Sequence, residues 1–412
     1  MKKFSAYLEE SKNTHMEHLE DNVLNGGVTG ARQSINFLRQ MRDALAGDSS
    51  QSVNATVKWD GAPAIFVGTD PSDGKFFVAK KGIFNKSPKV YKTKADVDAD
   101  TSGDLADKLN LALKHLKDIK VDGVIQGDFL FSDNDLKVKK IDGEQYVIFH
   151  PNTIAYAVPK DSKLGRKIMS SKIGVVWHTR YSGDSFESMK ASFGVDVNKL
   201  GNIPGIWMID ASYEDVSGSA TMTKAETVQV NKHLSLAGSV FNKIKPAVLN
   251  AISDDDTLLG RMKVYHNSRI REGQEIKNPT AHAKGLVQYM LNYEKKELDK
   301  RKSERGKESF SKSFAPTKKF ISNTPIQQIA AIYELQMHLV HAKKLIITKM
   351  NAAAKLKTFL KTSKGFTITG EEGYVAIDHL TGNAVKLVDR LDFSYANFSP
   401  DIIKGWQNDS RK

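Results

Sequence analysis

The run Ala55-Thr56-Val57-Lys58-Trp59-Asp60-Gly61-Ala62-Pro63-Ala64-Ile65-Phe66-Val67-Gly68 decides how the rest of the chain is read. A lysine leaves a short β-branched run, an Asp-Gly pair follows, and a second apolar run opens after Pro63. Asp-Gly and Pro63 punctuate two strands, so the spacing predicts Lys58 at the mouth of a sheet rather than on an open surface. A Lys-x-Asp-Gly tetrad is permissive by itself. Its meaning depends on what later segments supply.

The 412 residues, 40% hydrophobic and 26% charged, suit two or three domains with an ample core. No stretch is apolar for long enough to span a bilayer, and Met1-Lys2-Lys3-Phe4 leads into charge instead of a signal-peptide core. The absence of cysteine excludes disulfides and thiolate metal sites and suits a reducing cytoplasm. The formal net charge is +13 and is unevenly placed. Lys295 to Lys319 holds ten Lys/Arg against four Asp/Glu, and Lys343 to Lys364 holds seven Lys and no acid. These two segments carry the whole excess. They predict a polyphosphate-binding footprint, with a solvated helix face as the alternative.

Residues 1–48 read as an N-terminal helical segment: Ile35, Leu38, Met41 and Leu45 recur at helical spacing and Gly47 stops them. His15 and His18, three apart, could share a helix face and bind a metal, but with no third ligand in the sequence they are expected to be surface histidines. Residues 49–215 read as mostly strands with one helix, Leu105 to Leu116. The strands are Lys75–Gly82, Gly123–Phe131, Tyr146–His150, Ile173–Tyr181 and Gly205–Tyr213. Residues 216–364 turn helical. The clearest helix opens on Thr324-Pro325 and runs through Ile329, Tyr333, Val340, Ile347 and Leu356 to Gly365. His338 and His341, three apart, have the spacing of a metal-ligating pair, but are expected as polar-face histidines. Lys295 to Lys319, with Gly306, spaced serines and Pro316, reads as a mobile linker. Residues 365–412 return to strands at Phe366–Thr369, Tyr374–Ile377 and Ala384–Val388, with a turn over Leu380-Thr381-Gly382-Asn383. The fold class is therefore α+β: a sheet-based core interrupted by a large helical module.

Lys58-Trp59-Asp60-Gly61, Lys80-Lys81-Gly82, Gly127-Asp128-Phe129, Tyr146 to Phe149, Glu372-Gly373-Tyr374-Val375 and Val385-Lys386-Leu387 occur in that order. Together they resemble the covalent nucleotidyltransferase superfamily of ATP-dependent DNA and RNA ligases and mRNA capping enzymes. Asp128 stands where that family normally has Glu, and Val388 or Ala384 stands in place of a second closing lysine. The resemblance implies a ligase-type nucleotidyltransferase core of antiparallel sheets flanked by helices. With 26 residues after Lys386, no C-terminal OB-fold is expected, which favours the RNA-ligase branch and phage-type RNA ligases in particular.

In that reading Lys58 attacks the α-phosphate of ATP and holds AMP as a phosphoramidate. Free lysine titrates at about 10.4, so the amine needs burial near other cations, for which Lys81 and Lys386 are candidates. Lys81 and Lys386 would also neutralise phosphate charge. Asp128 and Glu372 would hold Mg²⁺ through hard oxygen ligands. Asp60 would contact the ribose or orient the lysine, Gly61 would allow close backbone approach, and Phe149 would stack on the adenine or serve as core. The partner would be nucleic acid, RNA before DNA, met by the basic helical module without reading sequence. Transfer to a different acceptor, or a degenerate ligase scaffold that only binds nucleic acid, are the alternatives.

Overall fold

The computed structural model describes residues 17–47, 55–141, 143–213, 220–354, 356–377 and 384–407. In chain order the elements are α1 (Asn22–Asn25), α2 (Gly27–Ala46), β1 (Ala55–Val57), β2 (Ala64–Thr69), β3 (Phe76–Ala79), α3 (Lys94–Asp100) and α4 (Gly103–His115). Next come β4 (Val124–Ser132), β5 (Lys137–Ile141), β6 (Glu144–Phe149), β7 (Ile154–Pro159), α5 (Lys163–Met169), β8 (Ile173–Ser182), β9 (Lys190–Phe193) and β10 (Ile206–Asp210). Six helices follow: α6 (Lys224–Phe241), α7 (Pro246–Ser253), α8 (Asp256–Arg271), α9 (Pro279–Asp299), α10 (Glu304–Asn323) and α11 (Ile326–Asn351). The chain then returns to strands with β11 (Lys357–Thr362), β12 (Gly365–Thr369), β13 (Tyr374–Ile377) and β14 (Ala384–Leu387), before α12 (Arg390–Phe398). The class is α+β, as expected.

Three sheets result. A six-stranded sheet runs β10-β8-β4-β2-β3 with β9 paired to β8, parallel only at β10–β8. A five-stranded antiparallel sheet runs β12-β11-β7-β6-β5, and a small antiparallel sheet runs β1-β13-β14. Period-two alternation explains how the large sheet is covered. On β2, Ile65 and Val67 face Leu109 and Ala112 of α4 and Leu116 just past its end, while Phe66 faces Phe77 and Tyr181 on the other side. Further along, Leu130, Phe131, Val176 and Trp207 meet Val147, Phe149, Tyr156 and Val158 of the five-stranded sheet.

The helical module has its own core, and α2 belongs to it: Ile35, Leu38, Met41 and Leu45 are buried together with Val230, Leu234, Leu339 and Ile346. Tyr374, Ala376 and Leu387 of the small sheet complete that core, so the small sheet joins the module to the strands. The strands of the closing stretch thus pair backwards across the whole insertion, β11 with β7 and β13 with β1.

Several expectations need correction. Lys295 to Lys319 is not a linker but the end of α9 and most of α10. The Ser303 hydroxyl accepts from the Gly306 N–H at 3.1 Å to start α10, and Phe310, Phe314, Phe320 and Ile321 bury one face. Pro316 lies inside that helix, whose buried face outweighs the lost donor. α11 ends at Asn351, short of 364, because Lys357–Thr362 pairs with β7 and buries Thr358 and Phe359. Pro325 is its N-cap and Ile326 its first residue, one position later than expected. Among its described residues the region 49–215 holds three helices, α3, α4 and α5, not one. The turn over Leu380 to Asn383 and His15 lie outside the described residues. Among the described residues no helix is long and apolar enough to cross a membrane.

Candidate active site

Lys58 sits where the small sheet hands over to the large one. The Lys58 N–H donates to the Gly373 carbonyl at 2.8 Å, continuing the β1–β13 register in which Val57 faces Tyr374. That register sets Glu372, just before β13, against the lysine, and their side chains form an ion pair. Thr56, Val375 and Lys386 lie in one row across the sheet, and Lys58, two residues past Thr56, continues the same face. Beyond Lys58 the loop is pinned to β4 by Ala62 N–H to Phe129 O at 2.9 Å and Phe129 N–H to Pro63 O at 3.0 Å. Gly61 is required there, since a Cβ would stand 2.5 Å from the Asp128 Cβ. The glycine thus brings the loop onto β4 beside Asp128, a packing role ahead of any nucleotide contact.

Four distant segments therefore meet: Lys58, Asp128 on β4, Glu372 before β13 and Lys386 on β14. The Lys58 side chain keeps 31% of its surface exposed, so the cluster opens to solvent at the amine. Asp128 is 19% exposed, and His178 Nε2 on β8 stands 3.8 Å from its carboxylate. The Lys386 and Lys58 ammonium groups lie 4.8 and 5.9 Å from the centre of the Phe393 ring on α12.

The electrostatics are those of a crowded carboxylate cleft. Burial, and then Glu372 and Asp60, push the Asp128 carboxyl up to about 7 against the pull of Lys58. Burial and the Lys58 charge hold the His178 imidazole down to about 4. Burial and then Lys58 hold Lys386 below its ordinary value, although Glu372 opposes them. Glu372 and Asp128 suit a hard divalent cation: their oxygens share one cleft with Asp60, and their mutual repulsion already raises Asp60 and Asp128.

Asp60 is fully engaged elsewhere. Its carboxylate accepts from Asn152 Nδ2 at 2.8 Å and from the N–H groups of Thr153 and Ile154, both at 2.6 Å, and its own N–H donates to the Tyr156 hydroxyl at 2.8 Å. It orients the lysine loop; it is not presented to a ribose. Phe149 takes the core alternative and not the stacking one. It is fully buried, with Phe131 at 5.0 Å and a stacked Tyr156 at 5.4 Å between ring centres, so no base can reach either face. Lys81 is exposed on the turn after β3, whose Lys80 is tied to Asp100 at 2.9 Å, and it is not among the gathered groups. His178, Asn152, Phe393 and Glu371 were not foreseen. His178 had a signal, a lone imidazole in the apolar run of β8.

Three of the seven lysines of the second basic run are neutralised from within. Lys343 is wholly buried against Glu20 at 2.6 Å, Lys344 pairs with Asp389 at 3.0 Å, and Lys349 pairs with Glu226 at 3.0 Å. Of the first run, Lys295, Lys296, Lys302, Arg305 and Lys319 form no ion pair among the described residues, so the available charge sits on α9, α10 and their connection.

Glu371, next to Glu372, gives a pH prediction. Its Oε2 is buried without a hydrogen-bond partner among the described residues, and burial pushes the carboxyl up from 4.5 to about 8. The unfolded chain sheds this proton above about 4.5 while the fold keeps it, so stability is lost as pH rises through about 8. Buried His266 and half-buried His178, His282 and His18 (the last expected at the surface), all held low by burial, run the opposite way but only below about 6.5. Between pH 6.5 and 8 the stability should fall with a slope approaching 1.4 kcal/mol per pH unit per proton, roughly, with Asp128 adding in the same direction. Glu371→Gln, which mimics the protonated acid, should flatten that fall and leave the variant more stable than the parent at pH 6 and by a wider margin at pH 8, because the parent's unfolded state has already shed the proton at pH 6. Urea unfolding at both pH values tests this, and an equal slope in variant and parent would refute it.

The fold and site define an α+β protein with a lysine set among carboxylates between two sheets. By comparison with known families the chain belongs to the Family of unknown function (DUF6267), whose model matches residues 13–401. No curated protein and no solved structure matches it.

Proposed function

We propose that this chain is an ATP-dependent polynucleotide ligase of RNA-ligase type, working through a covalent lysyl-AMP. The observation that carries this reading is the meeting of Lys58, Asp128, Glu372 and Lys386 in one cleft, from segments that adjoin only through sheet pairing. Antiparallel sheets flanked by helices, with the lysine loop bridging them, agree with a ligase-type nucleotidyltransferase core.

In the first step the neutral Lys58 amine forms a P–N bond to the α-phosphorus of ATP and pyrophosphate leaves. The amine must first give up a proton and part from Glu372. Lys386 lies on the same face and supplies positive charge toward the phosphates. Asp128 and Glu372 would hold Mg²⁺, which when bound offsets phosphate charge. AMP then passes to a 5′-phosphate, forming a P–O–P link as the P–N bond breaks, and a 3′-hydroxyl displaces AMP to seal the strand. The unpaired cations of α9 and α10 provide sequence-independent contact with the nucleic acid backbone.

Incubation with α-labelled ATP and Mg²⁺ tests the first step. The expected result is an acid-labile, base-stable label on the chain, released on adding nicked or 5′-phosphorylated RNA with formation of joined product. Label without joining would point to another acceptor. No label would leave only a binding scaffold and overturn the proposal.

A further inference from the structure

A second group of side chains lies in the helical module and owes nothing to the nucleotide reading. His338 and His341 stand three apart on α11, and α6 sets His233 against them. The His233 ring centre is 5.6 Å from that of His338 and 4.9 Å from that of His341. One ring nitrogen from each can be chosen so that all three lie within 4.8 Å of one another. These are not polar-face histidines: His338 is 8% exposed, and His233 and His341 are half-buried at the helix contact.

We propose that His233, His338 and His341 bind a borderline divalent transition metal, Zn²⁺ by preference, that staples α6 to α11. Three observations carry it. His341 Nδ1 is buried with no hydrogen-bond partner, a lone pair or proton aimed at nothing else among the described residues. His233 Nδ1 and His338 Nδ1 face each other at 3.4 Å. Two nitrogens bound to one tetrahedral ion at 2.0–2.1 Å would stand about 3.3–3.4 Å apart, so this pair already has the spacing of two zinc ligands. Finally, the donor set is all imidazole, which suits Zn²⁺ and its neighbours and does not suit Mg²⁺ or Ca²⁺.

The surroundings agree with neutral, ligating rings. Burial first, and then the proximity of the other rings, holds His233 and His338 below their ordinary value; burial does the same for His341 against the pull of Glu275. Glu275 is the carboxylate on that side and is itself held by Lys344. Lys232 and Lys344 are the nearby cations and oppose an ion, which favours a site that binds tightly only where all three imidazoles contribute. Three protein ligands leave a fourth position for water, as in an open zinc site.

The test uses the tag-free full-length chain, stripped with chelator and titrated with ZnCl₂ and, separately, CoCl₂ in the presence of millimolar Mg²⁺. Expected are one equivalent of Zn²⁺ retained through gel filtration, tetrahedral or five-coordinate ligand-field absorption with Co²⁺, and a higher thermal midpoint with metal. His341→Ala and the milder His233→Asn should each weaken binding at least about tenfold to a hundredfold while the far-ultraviolet circular dichroism stays the same. His282→Ala, which alters the separate His266–His282 pair, should leave it intact. Failure of the parent chain to retain Zn²⁺ overturns the proposal without recourse to any variant. Retention unchanged by His341→Ala or His233→Asn, or lost on His282→Ala, overturns it equally.

Discussion

Lys58→Ala is expected to abolish covalent nucleotide labelling, a loss of roughly four orders of magnitude or more, because in the proposed mechanism the P–N bond forms at that amine. Lys58→Arg should fail as completely. A guanidinium keeps the charge beside Glu372, but it stays protonated at any working pH and so cannot attack phosphorus. This pair of variants separates nucleophile from charge. If Lys58 merely completed an ion pair with Glu372, arginine would restore what alanine removes. Both variants should fold, since the lysine side chain is 31% exposed and the loop is held by Asp60, Gly61 and backbone bonds that neither change touches. Lys386→Ala provides the counter-test. Label that persists in Lys58→Ala and vanishes in Lys386→Ala would assign the reaction to the other lysine of the cleft, whose burial makes it the rival.

Which parts of this arrangement the sequence disclosed follows from the range of the forces involved. β1, β2 and the turn between them were legible because Asp60-Gly61 and Pro63 act locally, on one or two residues each. The gathering of residues 58, 128, 372 and 386 followed from motif order, and only pairing across the insertion could realise it. Phe149 stays open between core and stacking platform in the sequence, because an aromatic on a strand reads the same whether its sheet face is open or covered. The covering came from Phe131, Tyr156 and Trp207, which belong to three other strands. α10 was obscured for a related reason: its charges outnumber its apolar residues, and the burial of Phe310 and Phe314 depends on helices distant in sequence. The basic run from Lys343 hid the largest surprise. Charge counted along a chain says nothing about partners such as Glu20, more than 300 positions away.

That partnership underlies the second large effect: Lys343→Met should destabilise the fold by about 3–5 kcal/mol, because it strands a carboxylate in the interior. Glu20 is 1% exposed and Lys343 is wholly buried, at 2.6 Å from one another. Burial pushes the Glu20 carboxyl up, and Lys343, His18 and Arg390 together more than reverse it. The neighbouring Arg390 holds Asp21 at 2.6 Å and bonds to Asn267, while Gln336 Nε2 donates to the Glu20 carbonyl at 2.9 Å. Residues 20–21, α8, α11 and α12 are thus tied at one point, and that point supports the cleft: His18 bridges to Lys386 on β14, and α12 carries Phe393. Glu20→Gln combined with Lys343→Met removes both charges and should recover most of the loss, since a buried ion pair contributes little net stability over neutral groups of similar volume. Denaturant unfolding measures both variants, and the single change should also lower labelling by Lys58 more than the double does. Equal stability of Lys343→Met and the parent would mean that Glu20 finds water or another cation, and the network would then have no hold on the lysine cleft.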